Sequence, residues 1–328
     1  MTGMIYRRSH AGFTLVEILV AMLIGMFGVI IMMQVFALSE ERKRTTTSGG
    51  NATSEGVMAV YALQRDIRQA GYGFAALGMF GCSASINGVS FPLAPVTINP
   101  AATVVPAGDA NTDTLLVVYG NADGQPEGVT GTPILAAGTY YIDSSLCGTA
   151  SPITLTAAAG GVVATGTLYD LGPGLRIAAY AVRNGSLTVC NYVANDCSAA
   201  ANVTKPDIWV PVASNVVSLR AEYGRDTTPT LTTNSFVADT YDQTTPSTEV
   251  TVPSYACQWA RIPVVRFALV SLSPQFEKDL VTTAAPVWDG TATAPIVLPG
   301  TDRQHYRYKL FETVVPLRNI AWMGVTGC

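Results

Sequence analysis

The chain has 328 residues and a net charge of −4, and 13% of its residues are charged, about half the usual share. Its basic block is confined to Arg42-Lys43-Arg44, which excludes an electrostatic footprint for nucleic acid. Hydrophobic residues make up 48% of the chain, which predicts a membrane segment joined to a weakly charged, β-rich body.

The first predicted element is a membrane helix. Ile18 to Leu38 form a run of 21 residues without a charge, which as a helix spans roughly 31 Å, the thickness of a bilayer's hydrocarbon core. Arg7 and Arg8 precede the run and are expected to stay cytoplasmic, with the rest of the chain outside. A cleaved signal peptide ending at Ala37-Leu38-Ser39 is the alternative, but its apolar region would be unusually long.

Glu17 stands at the start of this apolar stretch, where an unpaired charge costs several kcal/mol. The surrounding Gly12-Phe13-Thr14-Leu15-Val16-Glu17, with a short basic leader before it, resembles the class III signal of type IV prepilins and type II secretion pseudopilins. The resemblance implies that a prepilin peptidase cuts between Gly12 and Phe13 and methylates the amino group of Phe13.

After such a cut, Glu17 lies four residues from the new N-terminus, about 6 Å along a helix. Its carboxylate is then expected to pair with the Phe13 ammonium of a neighbouring subunit and to set the axial register of a filament. The alternative is that Glu17 only marks the interfacial end of a membrane anchor. Gly25 and Gly28 fall within the helix, where each weakens helix propensity. A local melting of the helix in a filament and a close packing of helices at these small residues both remain open.

A second helical stretch follows the membrane run. Gly49-Gly50-Asn51 predicts a break or kink, and Gly71 and Gly73 predict the end of the helix. Between them, apolar residues recur at spacings of 3, 3, 4 and 3, and this stripe is expected to pack on a sheet. Its members are Val57, Val60, Leu63, Ile67 and Ala70.

The end of that stretch, "LQRDIRQAGYG" from Leu63 to Gly73, resembles the end of the N-terminal helix in the type IV pilus assembly protein W family, the minor pilins related to J-type pseudopilins. In the pattern itself, Arg65, Asp66 and Arg68 indicate the solvated side of an amphipathic helix.

The remaining sequence has the texture of strands and turns. Thr114–Gly120 is a candidate buried strand, and Arg183-Asn184-Gly185-Ser186 predicts a hairpin turn. In "VVSLRAEYG", one face is predicted for Val217, Leu219, Ala221 and Tyr223, and a solvated face for Arg220 and Glu222. Ile262–Ser273 and His305–Asn319 are the strongest later strands, with a long loop between them over 274–304.

The last of these strands carries a third resemblance to the same family, because "FETVVPLRN" from Phe311 to Asn319 is similar to its C-terminal strand and Leu-Arg-Asn ending. The fold class implied is α+β and pilin-like: a long N-terminal helix packed on a large antiparallel β-rich head, with two sheets expected. The predicted domains are a removed leader (1–12), a transmembrane and filament-core helix (13–38), its continuation on the head (39–73) and the β-rich head (74–328).

The cysteines all follow the apolar run, which fits an oxidising compartment beyond the membrane. They are Cys82, Cys147, Cys190, Cys197, Cys257 and Cys328. Cys190 and Cys197 are the first candidate disulfide because they are close in sequence, and Cys82–Cys147 and Cys257–Cys328 follow by nearest-neighbour order alone. A zinc site is not indicated, since no C-x-x-C motif occurs.

We expect no enzymatic activity, no cofactor and no metal. His10 lies in the leader, which leaves His305 as the imidazole of the processed chain, and no G-x-S-x-G, H-E-x-x-H or P-loop is present. Asp109, Asn111 and Asp113 alternate like the start of a calcium loop, but Thr114 replaces the required glycine. Turn formation before a strand explains these residues better.

The function implied by the resemblance is that of a minor pilin in type IV pilus assembly, in a tip or priming complex. The expected partners are other minor and major pilins, the prepilin peptidase, the inner-membrane assembly platform and lipid. The expected location is the bacterial inner membrane, with the head in the periplasm, and then the pilus on the cell surface. The alternatives are a J-type secretion pseudopilin and a pilus-borne adhesin that uses Trp209, Trp259 or Trp288.

Overall fold

The computed structural model describes residues 12–74, 79–122, 128–129, 135–147, 153–160, 167–227, 236–246 and 255–321. The chain divides into two compact units, Met1–Gly49 and Gly50–Cys328. A long N-terminal helix comes first in the chain, and several mainly antiparallel sheets follow it in the second unit. The predicted α+β class is confirmed.

The first helix, α1, runs from Leu15 to Gln69, 55 residues. Thr14 caps it, because the Thr14 hydroxyl accepts a hydrogen bond from the backbone N–H of Glu17 at 3.3 Å. The predicted break at Gly49-Gly50-Asn51 is wrong, since helix continues through all three residues. Glycine lowers helix propensity by about 1 kcal/mol but keeps the backbone N–H that proline lacks, so α1 tolerates the pair.

The end of α1 follows the prediction. The helix stops at Gln69, and Gly71 and Gly73 adopt positive φ angles of 79° and 87°. This left-handed conformation favours glycine, because it has no Cβ to clash with the backbone. The N–H of Gly71 then donates to Val118 O at 2.9 Å, which fixes the end of the helix to a neighbouring strand.

The buried face of α1 agrees with the predicted stripe except in its first turn. Leu63, Ile67 and Ala70 are fully buried, as expected, but Val57 is 54% exposed. The contact in that turn is made by Gly56, where a Cβ atom would overlap the ring of Phe311. Periodicity alone favoured the apolar valine, whereas the close approach of a strand requires a residue with no side chain.

Replacing Gly56 by alanine is therefore expected to destabilise the protein by about 1–3 kcal/mol, despite the better helix propensity of alanine, because the Phe311 ring must move. Gly50→Ala is the matched control: the same change is made in the same helix, where the added methyl group would meet no described atom within 4 Å apart from the local helix backbone. We expect the control to be neutral or more stable by up to about 1 kcal/mol. Urea unfolding of the detergent-solubilised chain, followed by circular dichroism, measures both.

Fifteen strands and two short helices follow α1 in the described residues. The strands are β1 (Ser83–Ile86), β2 (Val89–Pro92), β3 (Val96–Ile98), β4 (Leu115–Tyr119), β5 (Gly128–Val129), β6 (Tyr140–Asp143), β7 (Ile153–Thr154), β8 (Leu168–Gly172), β9 (Arg176–Arg183), β10 (Ser186–Asn191), β11 (Val210–Ser214), β12 (Val216–Arg225), β13 (Thr240–Asp242), β14 (Val264–Leu272) and β15 (Tyr308–Pro316). The helices are α2 (Tyr255–Ala260) and α3 (Arg318–Ala321).

Two larger sheets and two smaller ones are formed by these strands. The larger sheets have the orders β11-β10-β9-β4-β3 and β13-β12-β14-β15, and both are antiparallel. The smaller ones have the orders β2-β1-β7 and β5-β8-β6, and the pair β1–β7 is parallel. The large sheets and the inner face of α1 contribute to one continuous core.

The predicted hairpin at residues 183–186 is confirmed. Arg183 and Ser186 face each other as the last pair of β9 and β10, and Asn184 and Gly185 both have positive φ angles. Such a pair of left-handed residues forms the tight turn that matches the twist of antiparallel strands. The candidate strand at 114–120 is also found, as the fully buried β4.

The four-stranded sheet is covered on both faces, which the sequence did not indicate. Segment 274–304 folds over its outer face and places Trp288, Ile296 and Leu298 against Ala268 and Val270 in a second apolar cluster. Glu222 was expected to be solvated but is fully buried. Its carboxylate accepts a 2.6 Å hydrogen bond from Arg266, and burial raises its pKa.

Val217 also lies on the covered face, instead of sharing a face with Leu219, Ala221 and Tyr223. The register of β12 against β14 shifts between Val216 and Ser218. This irregularity adds one residue to β12 and interrupts the strict alternation of sides on which the prediction rested.

Candidate functional site

The first candidate site is the apolar part of α1 in the first unit. Its side chains are exposed on every side of the helix, and none of the most apolar window of 18 residues is buried. Phe13, at the N-terminal end of the described chain, is 79% exposed. A helix that is apolar all round needs a membrane or other protein around it, so this segment is built to be buried by something outside the chain.

Glu17 lies in the first turn of this helix. Thr14 and Glu17 stand at the N-cap and N3 positions, the spacing of a capping box, and a carboxylate there is also favoured by the helix dipole. The sequence reading missed this local role, although the Thr-x-x-Glu spacing signals it. Among the described residues, the Glu17 carboxylate makes no ion pair.

A second cluster lies inside the second unit, around Asp66 of α1. The side chain of Asp66 is fully buried and accepts a 2.6 Å hydrogen bond from the Tyr180 hydroxyl and a 3.0 Å hydrogen bond from Arg65 Nε. Arg176 Nε lies 3.3 Å from the same carboxylate. The prediction that Asp66 is on the solvated side of the helix is wrong, because β9 brings Tyr180 and Arg176 over it.

The Asp66 cluster shifts the pKa of two tyrosines. Burial, and then the negative charge of Asp66, raise the pKa of Tyr119 to about 12 and that of Tyr180 well above its ordinary value. Both hydroxyls therefore stay protonated at neutral pH, and that of Tyr180 serves as a donor to Asp66. The cluster ties α1 to the five-stranded sheet.

The raised pKa of Tyr119 predicts a loss of stability in alkali. An unfolded tyrosine ionises near pH 10, whereas folded Tyr119 holds its proton to about pH 12, so its contribution is complete below pH 10 and is lost as the pH rises through 12. About 1 kcal/mol should be lost by pH 11. Urea unfolding at pH 9 and pH 11 should show a smaller loss for Tyr119→Phe than for the wild type, and equal losses would refute the assignment.

Two of the residues considered for calcium binding, Asp109 and Asp113, instead form hydrogen bonds within the protein. The Asp109 carboxylate accepts hydrogen bonds from the backbone N–H groups of Asn184 and Gly185 in the β9–β10 turn. The buried Asp113 accepts from Arg220 at 2.8 Å and from the backbone N–H of Ala221 at 2.9 Å. Among the described residues, no group of three or more metal-binding side chains occurs.

Five cysteines of the second unit lie in the described residues, and all five are disulfide-bonded. The structure pairs Cys82 with Cys147 and Cys190 with Cys197, which are two of the pairs named from the sequence. The first bond links positions 65 residues apart and fastens segments of two different sheets. Cys257 is also disulfide-bonded, and its expected partner, Cys328, lies outside the described residues.

The aromatic residues considered for an adhesin lie in the interior. Trp209, Trp259 and Trp288 are 2%, 0% and 3% exposed, so none presents a stacking surface to a ligand. His305 stacks on Phe276 with 4.8 Å between ring centroids, and its Nδ1 lies 2.8 Å from Glu277 O. These contacts give it a packing role at the protein surface.

Comparison with known families finds matches that include the first and third of the three motifs, whereas Leu63–Gly73 lies outside them. The family described as Type IV Pilus-assembly protein W, PilW, matches residues 179–319, and the Prokaryotic N-terminal methylation motif matches residues 7–33. Residues 179–319 of the chain are therefore similar to the PilW family of type IV pilus assembly proteins. The predicted family resemblance is confirmed, and the methylation motif together with the apolar helix fits a membrane-anchored pilin.

The PilW match begins within β9 and ends within α3, so it includes the four-stranded sheet and its covering segment. A type IV-like pilin from Thermus thermophilus, TTHA1219, is similar with 12% sequence identity and a TM-score of 0.38, over 82% of this chain and 97% of that one. The search of curated proteins found no match.

Proposed function

We propose that this chain is a minor pilin of the PilW family that takes part in the assembly and initiation of a type IV pilus, within a tip or priming complex. The observation that carries the proposal is the exposed apolar helix joined to the methylation motif at residues 7–33. In this role the chain acts by shape and by charge pairing and has no catalytic turnover.

In the proposed pathway, the chain is first inserted into the bacterial inner membrane. Residues 1–12 are the leader, and the prepilin peptidase removes it by cutting between Gly12 and Phe13 and then methylates Phe13. Residues 13–38 hold the protein in the bilayer, 39–73 continue the helix, and 74–328 form the head in the periplasm. Assembly then transfers the chain from lipid to the pilus, where residues 13–38 exchange lipid contacts for apolar contacts with neighbouring subunits.

In the proposed assembly, one ion pair sets the axial register between neighbouring subunits. In a filament core, the Glu17 carboxylate meets the Phe13 ammonium of the adjacent subunit, which offsets the desolvation of both charges. Partners in this contact are the other minor pilins and the major pilin. The exposure of Phe13 and the absence of an ion pair to Glu17 among the described residues support this arrangement.

The size of the head favours a place at the tip. It occupies about 255 residues (74–328) and carries covering segments on the outer face of one sheet. A helical lattice of many copies leaves little lateral room for such a head, whereas the first subunits of a filament have an open end. The same argument makes a low copy number per pilus the expected result.

Mass spectrometry of the protein purified from piliated cells tests the proposal directly. We expect the mature chain to begin at Phe13 and to carry one methyl group on its amino nitrogen. A strain without the prepilin peptidase is the control and should retain the leader. A mature chain that begins at Glu40, as after signal-peptide cleavage, would overturn the proposal.

A further inference from the structure

A small groove lies beside the turn between β9 and β10, next to the edge strand β11. Its volume is about 130 Å³, and its lining includes Arg183, Ser186, Lys205 and Trp209. Pockets for drug-sized ligands have volumes of roughly 300–1,000 Å³, so this groove has the size for one side chain. The groove shares no lining residue with the N-terminal segment or with the Asp66 cluster.

Arg183 brings a buried positive charge to the wall of this groove. It is 8% exposed, and its guanidinium lies 4.2 Å from the ring centroid of Trp209. Two of its nitrogens donate to the carbonyl oxygens of Ala107, at 2.9 Å, and Pro106, at 2.6 Å. Among the described residues, Arg183 has no ion pair, and its Nε–H has no hydrogen-bond partner.

A buried cation without an ion pair among the described residues is unusual, because desolvation of a charge is normally offset by an opposite charge in contact with it. Burial accordingly lowers the pKa of Arg183, and the charge of Asp109 opposes that shift only in part. Asp109 is committed to the backbone N–H groups of Asn184 and Gly185. The guanidinium therefore leaves a positive potential at the groove.

The other groups around the groove also suit a negative ligand. The Nε1–H of Trp209 is buried in the wall without a partner among the described residues. The ammonium of Lys205 is at the surface and donates to Asn202 Oδ1 at 2.9 Å, which leaves two further N–H bonds. Ser186 is a half-buried residue of the lining and adds a hydroxyl group to it.

We propose that this groove binds the carboxylate of an aspartate or glutamate side chain on a partner protein. Lys205 and Ser186 supply the direct hydrogen bonds, and the buried Arg183 stabilises the bound charge from behind. The Trp209 ring holds the guanidinium in place through a cation–π contact. The small volume selects a single acidic side chain over a larger acidic sugar.

The test uses the mature full-length chain in detergent and two capped tripeptides, acetyl-Gly-Glu-Gly-amide and its Gln counterpart. Binding is measured by broadening of the peptide NMR signals. We expect the Glu peptide to bind at least tenfold more tightly than the Gln peptide, and Lys205→Ala to weaken it roughly two- to fivefold. Lys278→Ala is the control, because Lys278 is an exposed lysine outside the groove, and it should not change binding.

Lys205→Glu reverses the charge at the mouth and should abolish binding of the Glu peptide. Lys205 is exposed, so this variant should keep its fold, which circular dichroism checks. Equal binding of the Glu and Gln peptides, or unchanged binding by Lys205→Ala, would overturn the proposal. Tighter binding of glucuronate than of the Glu peptide would overturn the assignment to a protein side chain.

Discussion

Replacing Glu17 by glutamine is expected to reduce incorporation of this chain into pili at least tenfold while the chain still inserts into the membrane. Glutamine at N3 keeps the capping-box geometry with Thr14 and removes only the charge. In the proposed ion pair, the Phe13 ammonium of the neighbouring subunit would then lose its counter-ion in an apolar core, at a cost of about 3–5 kcal/mol. Immunoblots of sheared pili and of membrane fractions measure the two quantities.

A matched control is Glu40→Gln, the same substitution at an exposed position of α1 beyond the apolar run. It should leave incorporation at the wild-type level. Thr14→Ala removes the helix cap instead of the charge and should cost only about 1 kcal/mol of helix stability. If Glu17→Gln enters pili as the wild type does, the ion pair has no part in assembly, and the cap is the role that remains for Glu17.

The long helix and the main strands could be predicted because their signals are local. An uncharged run of 21 residues, a hairpin with Asn184-Gly185 at its turn and the glycines Gly71 and Gly73 after α1 determine the backbone through nearby atoms alone. The N-terminal motif belongs to the same class, since Gly12, Phe13 and Glu17 are read within six consecutive residues.

Burial of charged residues could not be predicted, because it depends on segments far apart in the chain. Asp66 and Glu222 both stand where amphipathic patterns place solvated side chains. The first is covered by β9, more than 100 residues later, and the second pairs with Arg266 beneath the segment 274–304. A carboxylate can be buried when such partners satisfy it, so polarity alone does not identify the exposed face.

The groove at Arg183 was equally hidden from sequence analysis. In the sequence, Arg183 indicates only a hairpin turn, and Trp209 indicates only a core residue or a residue of an adhesin surface. The turn around Lys205 brings these residues together, and no spacing rule connects them. The groove is identified by a buried guanidinium that has no counter-ion among the described residues. This feature can be seen only once the fold is known.

Replacing Asp66 by alanine is expected to lower the free energy of unfolding by about 3 kcal/mol. The change leaves the buried Tyr180 hydroxyl without its acceptor and separates Arg176 from the carboxylate that faces it. Arg65 is half exposed and can turn to solvent, so it adds little to the loss. Urea unfolding of the detergent-solubilised chain measures the effect, and Asp279→Ala, at an exposed site, should stay within about 0.5 kcal/mol of the wild type.

A double-mutant cycle separates the hydrogen bond from general damage to the core. Tyr180→Phe alone leaves the Asp66 carboxylate buried without its 2.6 Å donor and should also destabilise the protein. In the double mutant the Tyr180 hydroxyl and the Asp66 carboxylate are both absent, so neither is left buried without its partner. The combined loss of unfolding free energy should therefore fall short of the sum of the single losses by more than about 1 kcal/mol. Strictly additive losses would mean that Asp66 and Tyr180 act independently, so the hydrogen bond between them would have no part in holding α1 to the five-stranded sheet.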